Sequence, residues 1–150
     1  MPRGHRQRCP VARTLELVGD RWTLLLVRDL LRGACRFQDL QAAQPGLAPN
    51  TLSDRLKRME KHGLVSRRFY SDHPPRAEYA LTDMGQELAT VVRALAEWGS
   101  HHVYKRARLI HAGSGHEVRL GYFRADTGEP VPGSAVFVRH GPSGIRRRRS

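Results

Sequence analysis

Apolar residues in the first part of the chain recur at helical spacing. The segment between Asp20, a favourable N-cap residue, and Gly33, a residue type that commonly ends helices, is apolar on most sides. It predicts a helix over about residues 21–32. Short helices are expected on either side, at about residues 14–18 and around Phe37. The opening of the chain therefore predicts three helices, of which the middle one is largely buried.

A second helical pattern covers residues 50–62. Leu52, Leu56 and Met59 recur at steps of four and three residues, and Gly63 is placed to end the helix. The other side of this helix is polar and basic. The pattern predicts an amphipathic helix with one buried side and one side in solvent.

A hairpin and a long helix are predicted next. Residues 64–70 and 78–81 are rich in strand-forming residues, and residues 72–75 between them contain two prolines, which predicts a turn or loop. Thr82 then caps a long helix. Its apolar residues step by four and three in a heptad-like seam: Met84, Leu88, Val91, Leu95 and Trp98. Such a seam can pack on its own domain or on a copy of itself, so these five residues are candidates for dimerisation.

The last part of the chain has a different texture. Beyond about Leu109, glycines and prolines interrupt short apolar pieces, in which we expect strands over residues 118–123 and 135–138. The order of elements predicts a mainly α fold with a small β-hairpin wing, that is, a winged helix-turn-helix. A long C-terminal dimerisation helix and a short β-rich C-terminal extension complete it. Residues 1–8 are expected to form a disordered basic arm, and residues 145–150 a basic tail.

The distribution of charge narrows the choice of partner. The formal net charge is +12, and the excess of basic residues is confined to residues 1–13, 48–80 and 139–150. A polyanion such as nucleic acid is the partner expected for such a distribution. A soluble basic protein with frayed arginine-rich ends is the alternative.

Membrane and disulfide-rich classes are not favoured. No apolar run approaches the roughly 20 residues needed to cross a bilayer, and no apolar stretch follows the charged N-terminus to make a secretory signal. The two cysteines, Cys9 and Cys35, are too few for a disulfide scaffold. A cytoplasmic protein is therefore expected.

The polar side of the helix at residues 50–62 has the residue types that bond bases and phosphates. The first residues of such a helix reach deepest into the major groove. The predicted base contacts are therefore Asn50, Thr51, Ser53, Asp54 and Arg55. Lys57 and Arg58 are expected to contact phosphates. The alternative is an ordinary amphipathic surface helix.

The hairpin that follows is basic. It would lie along the adjacent DNA backbone or enter the minor groove through its cationic residues, which are Arg67, Arg68, His73 and Arg76. A solvated hairpin is the alternative reading of this segment.

Several segments of the chain together resemble one family. They are Cys9-Pro10, residues 17–25, Arg36-Phe37, residues 51–60, residues 63–65 and residues 74–82, with Gly85 and Trp98 beyond. In this combination the chain resembles the HxlR-type transcriptional regulators over about residues 9–107. The resemblance implies a MarR-like winged helix-turn-helix, a homodimer, and repression or activation at a palindromic operator.

The same resemblance draws attention to one thiol. Cys9 matches the cysteine of the family's N-terminal Cys-Pro pair, which senses oxidants or quinones in some relatives. In this chain the nearby Arg6, Arg8 and Arg13 would favour the thiolate. Cys9 is therefore a candidate redox sensor, and a structural, partly buried cysteine is the alternative. A small-molecule effector at the dimer interface is an equal candidate for control.

Residues 108–144 resemble a zinc-ribbon-like extension found in a subset of the family. Serine stands at position 114, and Arg124 and Thr127 stand where a cysteine pair would be. Without thiolates a tetrahedral zinc site is not supported, so we expect a degenerate, metal-free ribbon. No cofactor is expected.

These patterns predict a sequence-specific regulator that binds double-stranded DNA as a homodimer and responds to a thiol-reactive or small-molecule effector. The alternative is a basic RNA-associated or architectural nucleic-acid-binding protein that uses its arginine-rich tails. An enzyme is not expected, because no nucleophile elbow, phosphate-binding loop or dinucleotide fingerprint is found in the sequence.

Overall fold

The computed structural model describes residues 9–33 and 35–138. The predicted arm at residues 1–8 and the predicted tail at residues 145–150 lie outside the described residues, so the alternative function that depends on them stays untested. The first elements are α1 (Pro10–Val18), α2 (Thr23–Leu30), β1 (Cys35–Arg36), α3 (Phe37–Ala43) and α4 (Pro49–Lys61). They are followed by β2 (Val65–Asp72), β3 (Pro75–Leu81), α5 (Asp83–Glu87), α6 (Ala89–His102), β4 (Tyr122–Phe123) and β5 (Pro130–Val131).

One apolar core joins helices α1 to α4 to the base of the hairpin. Leu26 and Leu30 of α2 are 0% and 1% exposed, and Leu40 of α3 is 1% exposed. The predicted inner side of α4 is confirmed, because Leu52, Leu56 and Met59 are all at most 2% exposed. The core is completed by buried residues before and after α4, namely Val18, Val27, Leu47, Leu64, Val65 and Leu81.

The wing is a β2–β3 hairpin, and it belongs to a three-stranded antiparallel sheet in the order β1-β3-β2. The turn between the strands is shorter than the predicted turn over residues 72–75, because β2 continues to Asp72 and β3 begins at Pro75. Strand β1 was not predicted. It pairs Cys35 with Tyr79 and Arg36 with Glu78, and so places the start of α3 against the wing.

The junction between α4, the wing and α5 is fixed by local bonds. Gly63 has a φ of 73°, the left-handed conformation in which glycine commonly ends a helix. The Oγ1 of Thr82 donates to the carbonyl of Gly63 at 2.5 Å and accepts from the N–H of Gly85 at 3.1 Å. The predicted cap is therefore confirmed. The predicted single long helix was wrong, because it divides into α5 and α6 at Leu88.

The extension contains less strand than the sequence suggested. Only Tyr122–Phe123 of the expected strand at residues 118–123 pairs, and its partner is Pro130–Val131. The expected strand at residues 135–138 was wrong, because Gly133–Ala135 form a 3-10 turn and the following residues up to 138 lie outside any strand.

Two turns of the extension have the same backbone hydrogen bonds. The N–H of His111 donates to the carbonyl of His116, and the N–H of Arg124 donates in the same way to that of Glu129, both at 2.9 Å. A glycine with φ near 70° closes each turn. Within the described residues, no three or more histidine, cysteine, aspartate or glutamate side chains come together to hold a metal ion. The metal-free ribbon stays a prediction.

None of the helices within residues 9–33 and 35–138 is long and apolar enough to cross a membrane.

Candidate nucleic-acid interface

The outer side of α4 faces solvent along the length of the helix. Asn50, Asp54, Lys57 and Arg58 are exposed, whereas Thr51, Ser53 and Arg55 are half-buried. The buried leucines and methionine on the opposite side fix this orientation, since rotating the helix would expose them to water. A polar surface rich in hydrogen-bonding groups therefore projects from the domain.

The turn that leads into α4 is bound to α2 by a buried polar contact. The Nε2 of Gln44 donates to the Oδ2 of Asp29 at 2.5 Å, and both residues are less than 9% exposed. The Nε of Arg28 donates to the other oxygen of the same carboxylate at 2.9 Å. This contact was not predicted from the sequence. An aspartate inside an otherwise apolar helix is the signal that could have indicated it, because buried carboxylates require partners.

A second carboxylate joins α2 to the middle of α4. The Oδ1 of Asp20 accepts from the N–H groups of Trp22 and Thr23 at 3.0 and 3.1 Å, and its Oδ2 accepts from the Oγ1 of Thr23 at 2.5 Å. The predicted N-cap position was wrong, because α2 begins at Thr23 with Trp22 as its N-cap residue. Asp20 nevertheless accepts from two backbone N–H groups at the start of this helix. The Nε of Arg55 lies 3.4 Å from the same Oδ1.

The pKa of Asp20 reflects these contacts. Burial raises it, but the hydrogen bonds from the Thr23 hydroxyl and from two backbone N–H groups, together with the charge of Arg55, outweigh burial and hold the pKa below its ordinary value of 3.8. The carboxylate is therefore ionised at neutral pH and remains a partner for Arg55.

The predicted contact residues of α4 are not equivalent. Arg55 is held by Asp20 through its Nε, an atom that is buried and makes no hydrogen bond of good geometry among the described residues. The Nη2 of Arg58 donates to the backbone carbonyl of Glu16, which connects α4 to α1. Lys57 has no carboxylate partner within the described part of the chain. Arg55 and Arg58 thus anchor the helix, and their contacts with DNA stay predictions.

The basic residues of the wing also differ in whether they have a carboxylate partner. Arg67 pairs with Glu60 at 3.6 Å, and Arg68 pairs with Glu78 at 2.5 Å. His73 and Arg76 are exposed near the turn, and Arg76 has no carboxylate partner among the residues the structure describes. The least compensated positive charge of the wing therefore lies near its turn.

The seam on α5 and α6 is largely exposed in the single chain. Met84, Val91, Leu95 and Trp98 are 47%, 39%, 54% and 60% exposed. Leu88, the fifth predicted residue, instead packs partly against the chain's own core. On α1, Val11 and Leu15 are also more than half exposed. A single copy of the chain thus has an exposed apolar surface on α5, α6 and α1 that no other part of the described chain covers.

Both cysteines are free thiols and half-buried. Burial, followed by the charges of two nearby carboxylates, raises the pKa of Cys35, so its thiol stays protonated at neutral pH. Cys9 stands immediately before α1. Of the three arginines expected to favour its thiolate, Arg13 shares its charge with Glu16 at 3.4 Å, and the other two lie outside the described residues. A redox role for Cys9 stays a prediction.

Residues 17–107 match the family model described as HxlR-like helix-turn-helix. The chain is 38% identical over 92 residues to the uncharacterized HTH-type transcriptional regulator sll1512 of Synechocystis. The aligned region covers 61% of this chain and 68% of that protein. The chain is also 38% identical over 140 residues to the uncharacterized HTH-type transcriptional regulator Rv3095 of Mycobacterium tuberculosis, covering 82% and 86% of the two chains.

Solved structures agree with this match. The crystal structure of PA1607 superimposes with a TM-score of 0.76 at 33% identity, covering 91% of this chain and 97% of that one. The oxidised form of the redox regulator HypR superimposes with a TM-score of 0.59, also at 33% identity, covering 63% of this chain and 97% of that one.

Replacing Asp20 with Asn should lower stability in a way that depends on pH. Asn keeps an acceptor for the N–H groups of Trp22 and Thr23 but removes the charge that faces Arg55 and the oxygen that accepts from the Thr23 hydroxyl. We expect the free energy of unfolding to fall by about 0.5–1.5 kcal/mol at pH 7. Because the folded pKa is depressed, this difference is fully present above the ordinary value of 3.8 and is lost as the pH falls through the folded pKa.

The measurement is urea-induced unfolding of both proteins over a series of pH values. Asp54→Asn is the matched control, because Asp54 is exposed on α4 and makes no ion pair among the described residues. A stability difference for Asp20→Asn that stays constant down to acidic pH would show that the charge of Asp20 does not support the fold.

Proposed function

The chain belongs to the family of HxlR-like helix-turn-helix transcriptional regulators, and on this basis we propose that it binds a palindromic operator as a homodimer. DNA binding is the activity of the family. The single observation that carries the finer proposal is the exposed polar side of α4, flanked by the cationic turn of the wing. A helix with one such side fits the major groove, and the wing then reaches the neighbouring backbone.

The contacts divide into those that read bases and those that position the protein. Asn50, Thr51, Ser53 and Asp54 lie in the first turns of α4, which enter the groove deepest. Lys57, His73 and the arginines of the wing face the phosphates. Arg55 and Arg58 have partners inside the domain, so we assign them first to orienting α4 and only then to DNA.

The homodimer is supported by the exposed apolar surface of α6. Contiguous exposed apolar side chains on a small protein commonly mark an interface. Val91, Leu95 and Trp98 lie on one side of α6, while Arg93 lies on the opposite side at about 100° per residue. A two-fold axis through this surface would present two α4 helices to successive turns of one duplex.

Asn50→Ala and Lys57→Ala should separate the two kinds of contact. If Asn50 reads a base, its loss should weaken operator binding by about 1–3 kcal/mol and leave binding to a scrambled duplex unchanged. Loss of Lys57 should weaken binding to both duplexes equally, because phosphates are the same in every sequence. The measurement is a titration by fluorescence anisotropy, with the DNA upstream of the protein's own gene as the first operator candidate.

Arg93→Ala serves as a control, since it removes an exposed positive charge on α6 that is not among the predicted DNA contacts. Equal losses on both duplexes for Asn50→Ala would remove Asn50 from the base contacts. A parent protein that binds every duplex with the same affinity would contradict the operator itself.

Leu95→Glu should abolish the homodimer. A carboxylate in the middle of an apolar interface loses hydration without gaining a partner, so association should weaken by several kcal/mol. Sedimentation equilibrium should then give the mass of one chain. Arg93→Glu changes the charge by more, but on the opposite side of α6, and should leave the dimer intact. A dimer that survives Leu95→Glu would place the interface elsewhere.

Thiol control through Cys9 is supported by the likeness to HypR, which is described as a redox regulator. We expect a quinone or peroxide to change the affinity of the parent protein for its operator. The affinity of Cys9→Ser should not change, whereas that of Cys35→Ser should change as much as that of the parent. The raised pKa of Cys35 lowers the fraction of its thiolate at neutral pH, which should slow its reaction with an oxidant. An identical response of Cys9→Ser and the parent would contradict thiol sensing at Cys9.

A further inference from the structure

A cavity of about 340 Å³ lies where the wing meets the start of α3. Six residues line it: Arg36, Phe37, Gln38, Tyr70, Arg76 and Ala77. Four of them are exposed and the other two are half-buried, so the cavity is reached directly from solvent. We refer to it as the wing-α3 pocket.

The sheet brings the two sides of the pocket together. Strand β1 pairs with β3, which places Arg36 beside the wing at the point where α3 begins. On the other side, a β-bulge interrupts the pairing of β2 with β3. Phe69 is opposite Ala77 and Ser71 is opposite Arg76, so Tyr70 is an extra residue without a partner. Bulges redirect side chains, and Tyr70 here lines the pocket with Arg76.

The pocket holds two positive charges and no carboxylate. The Cζ of Arg36 lies 5.0 Å from the centre of the Tyr70 ring, a cation–π contact that holds the guanidinium in place. The nearest acidic residues along the chain are already engaged. Asp39 accepts from the backbone N–H of Arg36 at 3.0 Å, and Glu78 pairs with Arg68. Among the described residues, neither Arg36 nor Arg76 forms an ion pair.

We infer that the wing-α3 pocket binds one phosphate of the DNA backbone through Arg36 and Arg76, an inference that rests on the proposed function. Guanidinium groups match the geometry of phosphate oxygens with two parallel donors. The Tyr70 hydroxyl and the Gln38 amide supply neutral donors beside them. None of these residues except Arg76 belongs to the contacts indicated by the sequence pattern.

The exposure of the pocket favours a backbone phosphate over a small metabolite. Sites for small molecules usually enclose most of their ligand and are largely apolar, whereas four of the six residues here are exposed and two are cationic. A phosphate held between α3 and the wing would fix the register of the protein on the duplex without reading its sequence. The base contacts of α4 would then start from a defined position.

The first test measures the salt dependence of duplex binding in Arg36→Gln, Arg76→Gln and the double variant. Each lost phosphate contact lowers the slope of log affinity against log salt by about 0.9, so a homodimer with two pockets should lose about 1.8. The loss should be the same on operator and scrambled DNA. Because Arg36 and Arg76 together hold a single phosphate in each pocket, the slope of the double variant should fall little further than that of either single variant. Arg119→Gln, an exposed arginine of the extension, should keep the parent slope.

The second test identifies the phosphate. Methylphosphonate groups, which carry no charge, are placed one position at a time along the operator. One position in each half-site should weaken the parent protein and have no effect on the Arg36→Gln, Arg76→Gln double variant. Circular dichroism and thermal melting establish that each variant is folded. If Arg36→Gln does not fold, Arg76→Gln carries both tests, since Arg76 is exposed on the wing.

Unchanged salt slopes in the folded variants, or a position scan in which the parent and the variant respond alike, would overturn the inference. Inorganic phosphate, compared with chloride at constant ionic strength, distinguishes a free anion. If it releases DNA from the parent while no single backbone position matters, the pocket holds free phosphate and the inference is wrong. If the parent protein binds every duplex with the same affinity, the operator proposal is contradicted but the pocket is not. The salt dependence of binding to scrambled DNA still tests the pocket in that case.

Discussion

The carboxylate of Asp20 joins the start of α2 to the middle of α4. This one group accepts from the backbone N–H groups of Trp22 and Thr23 at the start of α2 and faces the Nε of Arg55 on α4 at 3.4 Å. At the other end of α2, Asp29 holds Gln44 in the turn that precedes α4. The buried helix α2 therefore contacts α4 through Asp20 at its start and the turn before α4 through Asp29 near its end. Rotation or sliding of α4 would separate Arg55 from Asp20 and leave its half-buried guanidinium without a charged partner.

The apolar contacts of α4 contribute more free energy than its ion pair with Asp20. Burying a leucine or methionine side chain contributes about 1.5–3 kcal/mol, and three such residues form the inner side of α4. A partly exposed ion pair such as that of Asp20 with Arg55 contributes about 1 kcal/mol or less. The apolar side thus supplies most of the free energy that holds α4 against the domain. The same apolar side fixes which face of α4 is turned outward, and the ion pair of Asp20 with Arg55 makes a smaller contribution to that orientation.

The limits of sequence reasoning follow from the range of each interaction. The inner side of α4 was predictable because its period is local and complete. The pairing of Asp20 with Arg55 spans 35 positions, and no local pattern indicates it. Strand β1 has two residues, too few for an alternating pattern, and its partner lies more than 40 positions further on. The same strand brings Arg36 to the wing, which is why the charge pattern alone could not assign Arg36 to the interface.

The internal ion pairs also change the meaning of the net charge. Of the basic residues predicted to contact DNA, Arg55, Arg67 and Arg68 face carboxylates, and Arg58 donates to a backbone carbonyl. Each bond to the protein body must weaken or be shared before such a group can serve a phosphate fully. Lys57 and Arg76, together with Arg36, have no such partner in the described part of the chain. These three can meet an anion without losing an internal bond. Electrostatic attraction to DNA should therefore concentrate on the outer side of α4 and on the wing-α3 pocket, while the pair of Arg67 with Glu60 links α4 to the wing.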